Sequence, residues 1–188
     1  MWPSKNLTDS ILTAVVFGLA YWVSFEISKH YDLTQSFAPG VSLIFIPAGV
    51  KLLAALVGGL WGVMGVVLAL IYLANDFWSG QSQLFIFLTA TINGLSTLAV
   101  VEAMRRLLTI DDDLSNLRLL HLPLIDLANS VCHGLVHNAF WIFWGVEKPS
   151  DFLSHATAMT VGDFFGSLIV LLGLSLVLKL KNKFNLTD

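Results

Sequence analysis

The chain has 188 residues, of which 56% are hydrophobic and only 12% charged, with a net charge of −3. Mean hydropathy is +0.77. Soluble domains carry roughly a quarter charged residues, so this composition argues against a water-soluble domain and predicts an all-α, polytopic integral membrane helical bundle forming a single domain over 1–188. Segments outside the apolar runs reach about a dozen residues, too short for a kinase, cyclase or nucleotidase domain. Any output or motor is therefore expected on another chain. No basic patch points to nucleic acid. The lone Cys132 excludes an internal disulfide and a multi-cysteine metal site. The N-terminal run follows a single lysine, Lys5, and has no small-x-small cleavage pattern after it, so it is expected to be a retained helix.

About six passes are expected in chain order: 11–28, 42–57, 60–74, 84–104, 122–144 and 152–178. The second and third come from one apolar block of near 33 residues. At 1.5 Å per residue it would extend roughly 50 Å as one helix, against a hydrocarbon core of about 30 Å. It must break, and Gly58-Gly59 is the natural place. The second pass is short and starts near Pro47, whose fixed φ and missing N–H suit a helix start.

Lys and Arg set the orientation. With the N-terminus inside, the inner side holds Lys5, Arg105, Arg106, Arg118, Lys179, Lys181 and Lys183, and the outer side holds Lys29 and Lys148. Both termini are then expected in the cytoplasm. The connection from Arg105 to Leu120 contains Asp111-Asp112-Asp113 and then Leu114, Leu117 and Leu119. Asp112 or Asp113 is placed to cap a short amphipathic helix there. Such a helix would lie on the lipid headgroups as a linker or serve as a docking surface for a cytoplasmic partner.

The fifth pass carries the most chemistry. Asp126, Asn129, Ser130, His133, His137 and Asn138 recur every three or four positions and share one helix face. A charged side chain at bilayer depth costs roughly 3 kcal/mol or more, so such residues face a bundle interior or a wet cavity. Lys51, Asn93, His133 and Asp163 each fall near mid-membrane when residues are counted from the helix ends. Lys51 is expected to neutralise Asp163 or Asp126. Lys51, Asn93, Asp126, Asn129, His133, His137 and Asp163 are the candidate ligand-binding residues. The bland alternatives are interhelical glue for the amides and a structural ion pair for Lys51. Glu102 sits at helical spacing from Arg105 and Arg106 and is expected to pair with them.

No cofactor is expected. His30, His137 and His155 all fall near the outer face and are the candidates if a divalent metal or haem is held, imidazole being a common ligand for both. Gly58-x-x-x-Gly62 and Gly162-x-x-x-Gly166 read as close intramolecular helix contacts. Trp2, Trp22, Trp78, Trp141 and Trp144 read as an aromatic belt at the membrane interfaces.

Four stretches in order carry a family resemblance. They are Phe45-Ile-Pro47-Ala-Gly49-Val-Lys51 with Gly58-Gly59; Asn93-Gly94 with Glu102-Ala103; the polar fifth pass; and Gly162-Asp163-Phe-Phe-Gly166. Over about 42–175 the chain resembles the first class of membrane-associated sensor domains, the integral-membrane input modules of bacterial diguanylate cyclases and histidine kinases. That family has a tryptophan where Ile46 stands, a shorter spacing than Asn93 to Glu102, about eight passes and an attached output domain. The resemblance implies a sensory role in the bacterial cytoplasmic membrane. The chain is also similar to the substrate-binding subunits of energy-coupling-factor vitamin transporters, which are small, tail-less and dependent on partner chains.

The leading expectation is a non-catalytic membrane module, surrounded by lipid, that binds a small ligand or a partner's helix and acts through a separate signalling protein. The alternatives are a vitamin- or metal-binding transporter subunit and a structural subunit of a larger membrane complex. His133-Gly-Leu-Val-His137-Asn138 is similar in one short respect to rhomboid proteases. Ser96, the serine nearest a nucleophile pattern, lacks Gly-x-Ser-Gly and precedes the histidines, so an intramembrane hydrolase is not expected.

Overall fold

The computed structural model describes residues 6–31, 37–38 and 40–185, with side chains as far as 177. Helix is the dominant structure, and the described residues contain no strand beyond an isolated bridge between Ala38 and Val41. Four segments are long and apolar enough to cross a membrane: Leu7–His30, Pro47–Phe77 taken as one, Gln83–Leu107 and Pro149–Val177.

Helix α1 spans Leu7–His30. Asn6 caps it by accepting from the Asp9 N–H at 2.8 Å, and Lys29 and His30 in the last turn suit the helix dipole. Helix α2, Pro47–Leu53, starts with proline in its first turn and runs into a π-helical turn, Ala54–Gly58. Gly59 then takes φ +58°, a backbone conformation open to glycine and hostile to residues with a Cβ. There the chain turns back into α3, Gly59–Phe77. The reversal is visible in Phe45, just before α2, and Phe77, at the end of α3. Both rings pack edge-on against Phe25, with centroids 6.2 and 6.1 Å away. The interruption expected at Gly58-Gly59 is thus a helical hairpin. Its first arm rises only about 18 Å at 1.5 Å per residue.

Helix α4 is Gln83–Leu107, α5 is His121–Trp144 and α6 is Phe152–Asn185. α5 lies between α4 and α6, and α1 lies along α3. α5 falls outside the four strongly apolar segments. The cause is its polar stripe, and that stripe is buried: Asp126, Asn129, Ser130, His133, His137 and Asn138 are all 3% exposed or less. Apolar residues such as Leu127 and Leu135 stay exposed on the opposite side.

Three expectations are corrected. The stretch 42–46, expected as the start of a helix, is non-helical. It lies against α6, where Phe45 N–H donates to the Gly162 carbonyl at 2.9 Å. A Cβ on Gly162 would strike the Ser42 carbonyl, and one on Gly166 the Phe45 carbonyl. The small-residue pair on α6 therefore receives an irregular strand of backbone where a helix was expected. Irregular backbone at membrane depth is tolerated where protein or a water-filled cavity surrounds it.

The second correction concerns 108–120, which forms successive turns and no helix. Asp113 caps one turn by accepting from Ser115 N–H at 3.0 Å, and Asn116 accepts from Asp111 N–H at 2.9 Å while its amide donates to the Thr109 carbonyl at 2.9 Å. Arg105, 3% exposed, reaches the Asp111 carbonyl at 3.1 Å and the Asp112 carboxylate at 3.0 Å. It also meets Glu102 at 3.5 Å, as does Arg106 at 2.8 Å. Local polar bonds hold these leucines in turns, and Ile110 is buried among the helix ends.

The third is the extent of the last helix, which continues to Asn185, beyond the expected 152–178.

Candidate functional site

α2, α5 and α6 bring three of the expected polar residues into contact. Lys51 Nζ lies 3.7 Å from Asp163 Oδ2, and His133 Nδ1 lies 2.6 Å from the same oxygen. Each of these side chains is 3% exposed or less. The spacing on α2 explains Lys51: Pro47, Ala48, Lys51 and Leu52 form its buried face, so a lysine there must enter the bundle. On α6, Asp163 and Ser167 point inward one turn apart beside the Gly162–Gly166 contact.

A cavity of about 80 Å³ opens above this cluster, toward the end of the bundle where Phe45 and Phe77 meet. Asn93, His133, His137 and Asp163 line it, with Tyr21 from α1, Ser42 from the irregular segment, Thr89 from α4 and Trp141 from α5. Phe25, Phe45, Phe77 and Trp78 contribute rings to the remaining wall. Gly40, with φ +78°, wedges between Trp78 and Trp141, where a Cβ would come within 2.8 Å of the Trp141 ring and 3.1 Å of the Trp78 ring. His133 and His137 lie one turn apart on α5 with ring centroids 4.3 Å apart and planes tilted by 50°, and His137 meets Trp141 edge-on at 5.5 Å.

The largely apolar wall carries polar atoms that are not satisfied. Tyr21 Oη, Thr89 Oγ1, Asn93 Oδ1, both His137 ring nitrogens and Trp141 Nε1 are buried with no hydrogen-bond partner among the described residues. A buried polar atom without a partner costs about 1–3 kcal/mol. Water needs roughly 10–15 Å³ of such space per molecule. The cavity is therefore large enough for several waters, or for one small molecule that satisfies the same atoms.

Of the seven residues expected to bind, Asn93, His133, His137 and Asp163 line the cavity, and Lys51 stands behind Asp163. Asp126 and Asn129 do not line it. They lie on the same face of α5 toward its start, both buried, with Ser130 donating to Asp126 at 3.4 Å. Both polar atoms of Asn129 are unpartnered.

The histidines proposed as metal ligands are not gathered. His155 pairs with Glu147 at 2.7 Å, His30 packs against Tyr31 and is exposed, and His137 is inside the cavity. No three His, Cys, Asp or Glu side chains converge as a metal site among the described residues. Ser96 donates to the Asn93 carbonyl at 3.2 Å and lies outside the cavity lining.

Two groups of site residues escape a reading of the pattern alone. Tyr21 is completely buried on α1, where Tyr21, Ser24, Phe25 and Ser28 repeat at helical spacing, a weak but present signal. Trp78 and Trp141 read as interfacial belt, yet both line the cavity. Trp141 follows His137 by four residues on the same stripe, which is the clue to it.

No family model matches the chain, and no curated protein or solved structure shows significant similarity to it.

Proposed function

We propose that this chain is a non-catalytic membrane binding module of the sensory type, and that a small ligand occupying the cavity changes how the bundle engages a separate protein. The observation that carries the reading is the hollow lined by buried, unpartnered polar atoms from α1, α4 and α5. Interhelical glue would pair such atoms with one another. The motifs that resemble sensor input modules supply two of the cluster's charged groups, Lys51 and Asp163.

In this reading the hairpin of α2 and α3 counts as two passes. Six passes then put both termini on the cytoplasmic side of a bacterial inner membrane, with seven Lys and Arg inside against two outside. The Arg105-pinned turns and the C-terminal end of α6 face the cytoplasm, where a partner chain reads the ligand state.

A second reading is a transporter's substrate-binding subunit. The interrupted helix favours it, because transporter sites are commonly built from broken helices and unwound backbone at mid-membrane. Here Lys51 sits on the short arm and Ser42 of the irregular segment lines the cavity.

The test is extraction from native membranes into lipid nanodiscs, followed by native mass spectrometry. The reading expects a small molecule retained by the wild type and lost in Ala90→Leu, which fills the cavity wall. Equal spectra for both proteins contradict it. Co-purifying ATPase subunits and accumulation of a labelled solute would select the transporter reading.

A further inference from the structure

The polar cluster gathers one ammonium and two carboxyl groups. Lys51 is the one ammonium near two buried carboxylates, Asp163 at 3.7 Å and Asp126, whose field also reaches it. Arg105, the other buried cation among the described residues, is occupied at the far loop by Asp112 and Glu102. Asp163 meets Lys51 at 3.7 Å and His133 at 2.6 Å and is the carboxyl group of the cluster that also faces the cavity.

The cavity beside that carboxyl group has a particular chemistry. Among the described residues that line it, Asp163 is the only Asp, Glu, Lys or Arg, and Lys51 lies outside the lining. Six of the lining side chains are aromatic: Tyr21, Phe25, Phe45, Phe77, Trp78 and Trp141. Ring faces attract a cation within about 6 Å, most strongly when it is desolvated. An anion would meet the carboxylate and the negative ring faces. A neutral apolar molecule would leave the polar atoms unsatisfied. At about 80 Å³ the space suits a head of a few non-hydrogen atoms.

We propose that the cavity binds a small organic ammonium group, its positive charge balanced by Asp163 and its methyl or methylene surface held by the aromatic wall. The assignment rests on the binding reading above and names the ligand class. Asp163 and Lys51 then have opposite effects on affinity. Asp163 attracts the ligand, while Lys51 competes with it for the carboxylate.

The experiment is titration of the full chain in lipid nanodiscs, followed by tryptophan fluorescence and calorimetry. The probes are tetramethylammonium, tert-butanol as a neutral compound of similar size, and trimethylacetate as an anion. Saturable binding of tetramethylammonium alone is expected. Lys51→Met/Asp163→Asn removes the pair together, so neither member of it is left charged alone, and is expected to weaken tetramethylammonium binding at least about tenfold. Phe77→Leu, close in volume, is expected to weaken it about three- to tenfold. Folded Lys51→Met is expected to bind it more tightly than the wild type. Equal or tighter binding of the neutral or anionic probe overturns the ammonium assignment while leaving a binding cavity in place. So does unchanged tetramethylammonium affinity in the double variant. Absence of any saturable response overturns the assignment. Coupled with no retained molecule in the native mass spectrum, it removes the binding reading too.

Discussion

Lys51 on the short arm of the hairpin and Asp163 on α6 stand 3.7 Å apart, and neither is exposed by more than about 2%. The separation is an ion-pair distance and exceeds a hydrogen bond. The pair therefore ties α2 to α6 by charge, with His133 closing on the same carboxylate at 2.6 Å.

Breaking such a pair from one side leaves a buried charge alone. Lys51→Met or Asp163→Asn alone is expected to lower stability by about 3–5 kcal/mol, and the double substitution by much less. Denaturation of the three variants in one detergent checks this. Additive losses would show that the two residues do not interact.

The Gly166 contact predicts a steric effect. A side chain there meets the Phe45 carbonyl, so Gly166→Val must push the 42–46 segment off α6. A cost of about 1–3 kcal/mol is expected, as for other overpacked contacts. Because Ser42 and Phe45 line the cavity, any retained ligand should also be lost. Gly173→Val, in open space on the same helix, is the control and should cost far less.

Arg105 predicts a local effect. Arg105→Lys keeps the charge but loses the planar fork that serves Asp111, Asp112 and Glu102 together. Hydrogen exchange across 108–118 should speed up markedly while α4 and α5 keep their protection. Unchanged exchange in the loop would show that the arginine does not hold it.

In the connection after α5, Glu147 meets His155 of α6 at 2.7 Å. Burial pushes the Glu147 carboxyl above its ordinary value near 4.5, and the neighbouring His155 offsets part of that rise. A carboxyl raised by folding binds its proton more tightly in the folded state. The contribution of Glu147 is then full below about pH 4.5 and falls as pH rises through its elevated value. Stability curves should show Glu147→Gln losing that pH dependence. A variant with the wild-type slope would contradict the assignment.

The sequence made part of this site readable. A lysine and an aspartate inside apolar runs must find partners, so cost predicts that Lys51 pairs with Asp163 or Asp126, and tertiary packing selects Asp163 at 3.7 Å. The stripe on α5 follows from helical period, and the break at Gly58-Gly59 from excess length. Counting depth along a helix does not say where a hollow ends, so Asp126 and Asn129 were grouped with residues that line it. Trp78 and Trp141 have the composition of a membrane belt, and only tertiary packing turns them inward. The 42–46 segment is apolar enough for a helix, but the Gly162–Gly166 groove admits irregular backbone, and Phe45 N–H donates to the Gly162 carbonyl there. In 108–120, Arg105 and Asn116 offer the backbone and the aspartates partners that a helix would not.

Cysteine accessibility addresses the hollow most directly. In a Cys132→Ser background, single cysteines replace Ala90, which lines the cavity, and Leu95, which is 47% exposed on the lipid-facing side of the same helix. A small hydrophilic thiol reagent reacts with thiolate, which forms in a wet, polar environment and not against acyl chains. The account predicts modification at position 90 and none at position 95. Silence at 90, or equal reaction at both, would contradict a polar hollow inside this bundle.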